Sequence, residues 1–154
     1  MILGYFSSQI ADELGHQAKT MGFEEVEHTA DRALRIFGIN LQELLISAAQ
    51  GMTGLMVPDV SGVSAEVEKS IELDAIDAES LLVEWLNELA YWAETEMLIF
   101  TRFSIQNVTV TYLQASIFGG KVSELEKHIK AATYHNLKII KTSQGLEATI
   151  VFDV

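Results

Sequence analysis

The segment from residue 78 to about residue 97 is the longest amphipathic stretch of the chain and constrains the fold most. Its apolar residues recur every three or four positions, which puts them on one face of an α-helix. They are Leu81, Leu82, Trp85, Leu86, Leu89, Trp92, Ala93 and Met97. Asp77 stands just before this segment, and aspartate is a favoured N-cap residue. The sequence therefore predicts a core helix that begins after Asp77.

The other face of this helix is acidic, with Glu84, Glu88 and Glu94. Such carboxylates are candidates for acid/base groups or metal ligands. A charged row opposite an apolar stripe is, however, typical of a solvated helix surface. We interpret the three glutamates as surface and keep Asp74 and Asp77, at a strand end and a helix start, as minor alternatives for metal contact.

A second helix is predicted after Asn40, because Asn40 and Glu43 form a capping-box arrangement. Gly54 and Pro58 indicate its end. Apolar residues follow the cap at helical spacing: Leu41, Leu44, Leu45, Ala48, Ala49, Met52 and Leu55. We assign this stripe to the core rather than to a methionine-rich cofactor box, since adaptable packing is the commoner use of methionine.

Alternating or β-rich runs predict strands elsewhere in the chain, at residues 33–39, 64–75, 100–113, 115–122 and 146–152. The 64–75 strand carries a polar residue, Lys69, on its inner row. Gly119-Gly120 predicts a turn, and Ser143-Gln144-Gly145 predicts a hairpin turn before the last strand.

Residues 123–139 have two interpretations. Ser123 and Glu126 match a capping box, which favours a helical turn. Apolar residues at odd positions favour a strand instead: Ile129, Ala131, Leu137 and Ile139. We predict the strand, beginning at about Ile129.

The domain organisation follows from length and composition. A chain of 154 residues that is 49% hydrophobic is the usual size of one domain with a full core. Residues 1–21 have too few apolar positions for an independent core element, and the Met21-Gly22 pair is a second candidate start. We therefore treat residues 1–21 as an extension of open origin and residues 22–154 as a single domain.

Composition also limits the function. The absence of cysteine excludes disulfides, thiolate metal sites and cysteine nucleophiles, and it fits a reducing compartment. No apolar run approaches the roughly 20 residues that cross a bilayer, and no secretory leader is evident. We therefore expect a cytoplasmic protein. The net charge of −12 disfavours direct binding of nucleic acid, whose phosphates it repels.

Two oxygen-rich stretches suggest a site for a hard cation, which prefers oxygen ligands. One is Glu27-His28-Thr29-Ala30-Asp31, and the other is Asp153-Val154 at the end of the predicted last strand. Residue types alone leave open a second interpretation, in which Asp31 caps a loop and Asp153 is an exposed end.

Motifs of standard catalysis are absent from the sequence. There is neither a glycine-rich phosphate loop nor a nucleophile elbow. The four histidines show no His-Glu-x-x-His pattern and no paired spacing, so zinc has little support. We interpret His28 and His135 as imidazoles that hydrogen-bond within a polar loop or under a strand.

Four ordered motifs, spread from Phe23 to Val154, resemble those of the archease family. The first is the stretch from Glu27 to Asp31, which resembles Asp-His-Thr-Ala-Asp. Residues 81–89 look like the family's central helix, residues 130–137 are similar to its Lys-Ala-x-Thr-Tyr-His-Gly-Leu strand, and residues 150–154 match its closing strand. The sequence departs from the family pattern at Glu27, which replaces Asp, at Arg32, which replaces an aliphatic residue, and at Asn136, which replaces Gly.

The resemblance implies an α+β fold, a two-layer α/β sandwich of strand-helix-strand-strand type with a mostly antiparallel sheet and two main helices. It also implies a non-catalytic accessory protein in tRNA splicing and RNA repair. Its partner would be the RNA-splicing ligase of the 3′-phosphate type, whose guanylylation and multiple turnover it would promote.

The resemblance further implies a divalent-metal site, with Ca²⁺ or another cation such as Mg²⁺ or Mn²⁺. Its ligands would be Asp31, Asp153 and the main-chain oxygen or terminal carboxylate of Val154, with Glu27, His28 and His135 around them. A cation there would offset the repulsion between two neighbouring carboxylates.

Two other functions stay open. One is a stand-alone metal-dependent phosphoester hydrolase that uses Asp31, Asp153 and either His28 or His135. The other is a general chaperone-like modulator.

Overall fold

The computed structural model describes residues 21–26 and 31–154, which form eight strands and two helices. In chain order they are β1 (Gly22–Val26), β2 (Arg32–Gly38), α1 (Leu41–Met56), β3 (Val67–Asp74), α2 (Ala78–Glu96), β4 (Leu98–Thr109), β5 (Tyr112–Lys121), β6 (Ala131–Ala132), β7 (Ile140–Thr142) and β8 (Gly145–Asp153). Neither helix of these ranges has the length and apolar content needed to cross a membrane.

The strands form two sheets, and every pairing within the described ranges is antiparallel. The larger sheet has the order β1-β2-β8-β6, with β7 also paired to β8, and the smaller has the order β3-β5-β4. The segment β3-α2-β4-β5 is a strand-helix-strand-strand unit whose three strands share one sheet. The predicted α+β fold, with two main helices and mostly antiparallel strands, is confirmed.

The two helices supply much of the core. α1 packs against β1 and β2, α2 packs against β4 and β6, and the helices contact each other. Trp85 of α2 is fully buried, and its indole Nε1 donates a hydrogen bond of 2.9 Å to the carbonyl oxygen of Leu45 in α1. Lys69 lies on the inner row as predicted, where its Nζ is 4.2 Å from the centre of a Trp92 ring. This cation–π contact gives the inward lysine a partner.

Both helices begin at the predicted caps. The Asn40 side chain accepts a 2.9 Å hydrogen bond from the Glu43 backbone N–H, while the Glu43 carboxylate accepts from the N–H of Ile39, one residue before the cap. Asp77 caps α2 by accepting from the Ser80 N–H at 2.8 Å. The capping residues of both helices were thus predictable from sequence.

The acidic face of α2 is surface, as predicted. Glu84 and Glu94 are exposed and Glu88 is half-buried. Glu94 also has a hydrogen-bond partner, because its Oε1 lies 2.6 Å from Nδ1 of His128.

The predicted turn at Gly119-Gly120 is wrong. Both glycines lie inside β5, and the turn between β4 and β5 is at residues 110–111. A Cβ atom on Gly119 would lie 1.9 Å from the carbonyl oxygen of Ile99. Glycine is needed here because the two backbones approach closely beside a bulge in β4, not because the chain turns.

The continuous strand predicted from Ile129 is also wrong, and the alternative helical turn does not form. β6 has only two residues, and a turn follows in which the Leu137 N–H donates to the Tyr134 carbonyl oxygen at 3.0 Å. Asn136 has φ of 50° in this turn, a left-handed conformation that asparagine tolerates. The odd-numbered apolar residues still contribute to the core, with Ile129 buried and Leu137 and Ile139 packed against it. Periodicity thus indicated burial correctly but not the path of the chain.

Two polar side chains of α2 hold this segment in place. Asn87 accepts a 2.7 Å hydrogen bond from the Ala132 N–H, and its Nδ2 lies 3.4 Å from the Ala132 carbonyl oxygen. Glu79 accepts from the Ile139 N–H at 2.9 Å. α2 therefore fixes both ends of the segment that borders the end of β8.

Candidate metal centre

The pairing of β2 with β8 brings Asp31 and Asp153 to neighbouring positions. The ladder between these strands ends with Arg32 opposite Phe152. Asp31 precedes Arg32 and Asp153 follows Phe152, so these two residues are the next facing pair. Residues directly opposite each other in antiparallel strands have Cα atoms about 4.5–5.5 Å apart. Extending the register by one position thus puts two residues that are distant in sequence at the same end of the larger sheet.

The pair occupies the sheet face that points away from the helices. Leu34 and Phe152 belong to the hydrophobic core, whereas Ala33 and Val151, which alternate with them along the strands, lie outside that cluster. Asp153 continues the row of Val151, because side chains alternate between the two faces of a strand. Asp153 is exposed, while Asp31 is half-buried.

The backbone at the end of β8 is fixed by the segment that α2 holds. The Lys130 N–H donates a 2.8 Å hydrogen bond to the carbonyl oxygen of Asp153. Thr133 donates to the carbonyl oxygen of Val151 through both its backbone N–H and its hydroxyl, each at 2.9 Å. Val154 follows directly and is 38% exposed. The backbone of Asp153 is therefore fixed on the β6 side of β8.

The other predicted site residues are His135, Glu27 and His28. His135 is exposed and follows Thr133 in the turn, where its backbone N–H lies 3.3 Å from the Thr133 hydroxyl. Nδ2 of Asn136 lies 3.4 Å from Nε2 of His135. Glu27 and His28 fall outside the described residues.

The donor types fit a hard cation. Carboxylate and main-chain oxygens are the ligands of Ca²⁺ and Mg²⁺, and Asp31, Asp153 and Val154 offer these. Across residues 21–26 and 31–154, no cluster of three or more histidine, cysteine, aspartate or glutamate side chains is arranged to hold a metal. The described part of the chain thus supplies two side-chain carboxylates, and a hard cation takes about six or more oxygen ligands, so further ligands have to come from elsewhere.

Arg32, where the sequence departs from the family pattern, is engaged by Glu25. Its Nη1 lies 3.1 Å from Oε2 of Glu25, and both side chains are partly exposed. Arg32 pairs with Phe152 in the register, whereas Asp31 and Asp153 occupy the next position, where side chains point to the other face. The arginine charge is therefore partnered by an acid of β1.

Asp77, which the sequence analysis kept as a minor alternative for metal contact, has a structural role. Its carboxylate caps α2, and the hydrogen bonds from the Ser80 backbone N–H and then the Ser80 side chain lower the pKa of Asp77 below its ordinary value. Asp74 is exposed at the end of β3. The Asp77 carboxylate thus acts as the N-cap of α2.

The sequence did not indicate a cavity of about 310 Å³ between α1, β1 and β4. Its lining includes Phe23, Thr53, Leu55, Phe100 and Phe103, and none of the predicted site residues. Phe23, Leu55, Phe100 and Phe103 carried only the apolar signal of the core, so periodicity could not distinguish a cavity wall from packed interior.

Comparisons with known proteins support the assignment made from the motifs. Residues 23–154 match the Archease protein family. Protein archease of Methanosarcina barkeri is 33% identical over 140 residues, which is 86% of this chain and 95% of that protein.

Two solved structures are similar in fold. The solution structure of a Methanobacterium thermoautotrophicum protein has a TM-score of 0.73 and 29% identity, with 86% of this chain and 99% of that chain covered. The crystal structure of an archease from Thermotoga maritima, described as a possible chaperone, has a TM-score of 0.62 and 26% identity, with 85% and 96% covered. The motifs, the fold and these relatives agree, and the chain belongs to the archease family.

Proposed function

We propose that this archease is a non-catalytic accessory protein that activates the RNA-splicing ligase of the 3′-phosphate type in tRNA splicing and RNA repair. It promotes guanylylation of the ligase and allows multiple turnover. The observation that supports the proposal is the register between β2 and β8, which ends with Arg32 opposite Phe152 and so makes Asp31 and Asp153 the next facing positions. That arrangement supports a divalent cation as the functional group of the surface.

Asp31, Asp153 and the main-chain oxygen of Val154 would hold the cation. A bound Ca²⁺, Mg²⁺ or Mn²⁺ would supply a positive centre that organises oxygen ligands of the ligase or its nucleotide. The protein contributes position: Lys130 and Thr133 fix the end of β8 through the hydrogen bonds described above. The end of β8 would therefore not need to rearrange when Asp153 binds a cation.

The charge of the molecule favours a protein partner over RNA. A chain with 22 acidic and 10 basic residues repels a phosphate backbone at long range, whereas it attracts a basic protein surface. An enzyme that acts on RNA has such a surface, because it binds phosphates.

A direct test mixes purified ligase, GTP and Mn²⁺ with this protein and follows the rate of ligase guanylylation. Asp31→Asn and Asp153→Asn should each lower the stimulation relative to wild type. Glu84→Gln is the matched control, since it removes one negative charge from an exposed site on α2 and should stimulate as wild type does. Equal stimulation by all four proteins would exclude a role for the metal.

A second candidate is a general chaperone-like modulator, which the description of the Thermotoga maritima archease as a possible chaperone favours. Suppressed aggregation of several unrelated proteins, with no dependence on Asp31 or Asp153, would support it. The hydrolase alternative is tested by incubating this protein with a phosphoester in the absence of the ligase. Hydrolysis of the phosphoester under these conditions would favour an enzyme.

A further inference from the structure

One end of the smaller sheet exposes an apolar pair. The register puts Asp74 of β3 opposite Tyr112 of β5, and the Ala75 N–H continues the pairing with a 2.9 Å hydrogen bond to the Thr111 carbonyl oxygen. Ile76 and Val110 are the next residues on each side. Ile76 is 87% exposed and Val110 is 60% exposed. Two large aliphatic side chains are thus exposed at the next positions beyond the end of the ladder.

Acidic groups surround this pair. Glu72, Asp74 and Tyr112 occupy the exposed face of the same strands, and the Tyr112 hydroxyl donates a 2.5 Å hydrogen bond to Oε2 of Glu72. We call Glu72, Asp74, Ile76, Val110 and Tyr112 the tip surface. It combines an apolar centre with a negatively charged border.

The cations of the neighbouring strands lie elsewhere. Lys69 packs over Trp92 on the inner row. Arg102 stacks on Phe118, 4.3 Å from its ring centre, far along the sheet from the turn at residues 110–111. Lys121 ends β5 opposite Leu98, at the other end of the sheet. β3, β4 and β5 therefore bring no lysine or arginine to the tip surface.

The charge decides what can cover this surface. A second copy related by two-fold symmetry would bring carboxylates against carboxylates, and RNA would bring phosphates against them. A protein with an apolar pocket bordered by lysine or arginine complements both the centre and the border. Among proteins, an RNA-handling enzyme supplies the basic surface that this requires.

We propose that the tip surface docks on the ligase, with Ile76 and Val110 in an apolar pocket and Glu72 and Asp74 against basic side chains. The inference rests on the proposed function and adds the contact surface to it. The tip surface is separate from the acidic pair. Asp77 adjoins Ile76 of the tip surface, and Asn87 holds the segment next to Asp153. These two residues are ten positions apart along α2, or about 15 Å at the helical rise per residue. Changes at the tip surface should therefore leave Asp31 and Asp153 in place.

The test measures the Kd between purified ligase and variants of this protein by biolayer interferometry, alongside the guanylylation assay. Ile76→Ser/Val110→Thr should raise the Kd about tenfold or more, as expected for anchors at the centre of an interface. Asp74→Lys should also raise the Kd, with a weaker salt dependence than wild type. Ile39→Ser is the matched control, because Ile39 is also exposed, at 56%, and should bind within about twofold of wild type. Unchanged melting temperatures would show that the variants are folded.

The outcomes separate the two proposals. If wild type stimulates the ligase but Ile76→Ser/Val110→Thr binds as wild type does, the docking surface is wrong and the proposed function stands. If wild type neither binds nor stimulates the ligase, the proposed function fails and the docking surface fails with it. Equal weakening by Ile39→Ser would also overturn the assignment, because it would show a general effect of removing exposed apolar groups.

Discussion

Asn87→Ala tests how α2 controls the end of β8. The Ala132 N–H, in a residue that is 4% exposed, loses its 2.7 Å acceptor in this variant. A buried donor left unsatisfied costs about 1–3 kcal/mol, whereas the contact at 3.4 Å to Nδ2 contributes little. Alanine returns about 0.5 kcal/mol through its helix propensity. We expect a net loss of about 0.5–2.5 kcal/mol in the free energy of unfolding, or about 1–10 °C in melting temperature.

Hydrogen exchange locates the effect. The Ala132 and Lys130 amides should exchange faster in Asn87→Ala, since both belong to the segment that Asn87 holds. Asn107→Ala is the control, because its 2.8 Å hydrogen bond to Gln114 is exposed, and its loss should change stability by no more than about 0.5 kcal/mol. Unchanged exchange at Ala132 and Lys130 in Asn87→Ala would refute the idea that Asn87 positions the border of the acidic pair.

Two further predictions concern backbone packing and capping. Gly119→Ala should destabilise the fold by about 3 kcal/mol or more in urea titration, because its Cβ would overlap the Ile99 carbonyl, while Gly62→Ala, with no atom within 4 Å, should be nearly neutral. Asp77→Ala should lower the melting temperature at neutral pH by removing the α2 cap. The pKa of Asp77 is lowered in the folded state, chiefly by the Ser80 N–H, so its ionised form stabilises the protein above the ordinary carboxyl pKa. The gap between wild type and Asp77→Ala should shrink as pH falls through that lowered pKa, and a gap that widens would contradict this.

Local sequence signals predicted both helices and five of the eight described strands, although the predicted run 100–113 covers β4, the turn at residues 110–111 and the start of β5. The caps at Asn40 and Asp77 and the stripe around Trp85 are short-range features, which the chain carries wherever it packs. The failures needed information from elsewhere in the fold. Glycine is required at position 119 because the backbone of Ile99, on another strand, lies close to it. The path of the segment after Ile129 depends on hydrogen bonds to α2.

The candidate metal centre depended on a long-range pairing. Asp31 and Asp153 each look like ordinary polar positions, and only the register of β2 with β8 makes them the next facing positions beyond Arg32 and Phe152. The family resemblance predicts a shared site for the two residues, whereas residue types alone favoured separate roles in a loop and at a strand end. The exposure of Ile76 had no sequence signal either, because an isoleucine between a strand and a helix usually packs inward.

Calorimetric titration of the purified protein with Ca²⁺, Mg²⁺ and Mn²⁺ tests the central claim most directly. Wild type should bind one cation, and Asp31→Asn and Asp153→Asn should each weaken that binding about tenfold or more, while Glu84→Gln leaves it unchanged. Equal affinities in wild type and both aspartate variants, or no binding by wild type, would contradict a shared cation between the two carboxylates.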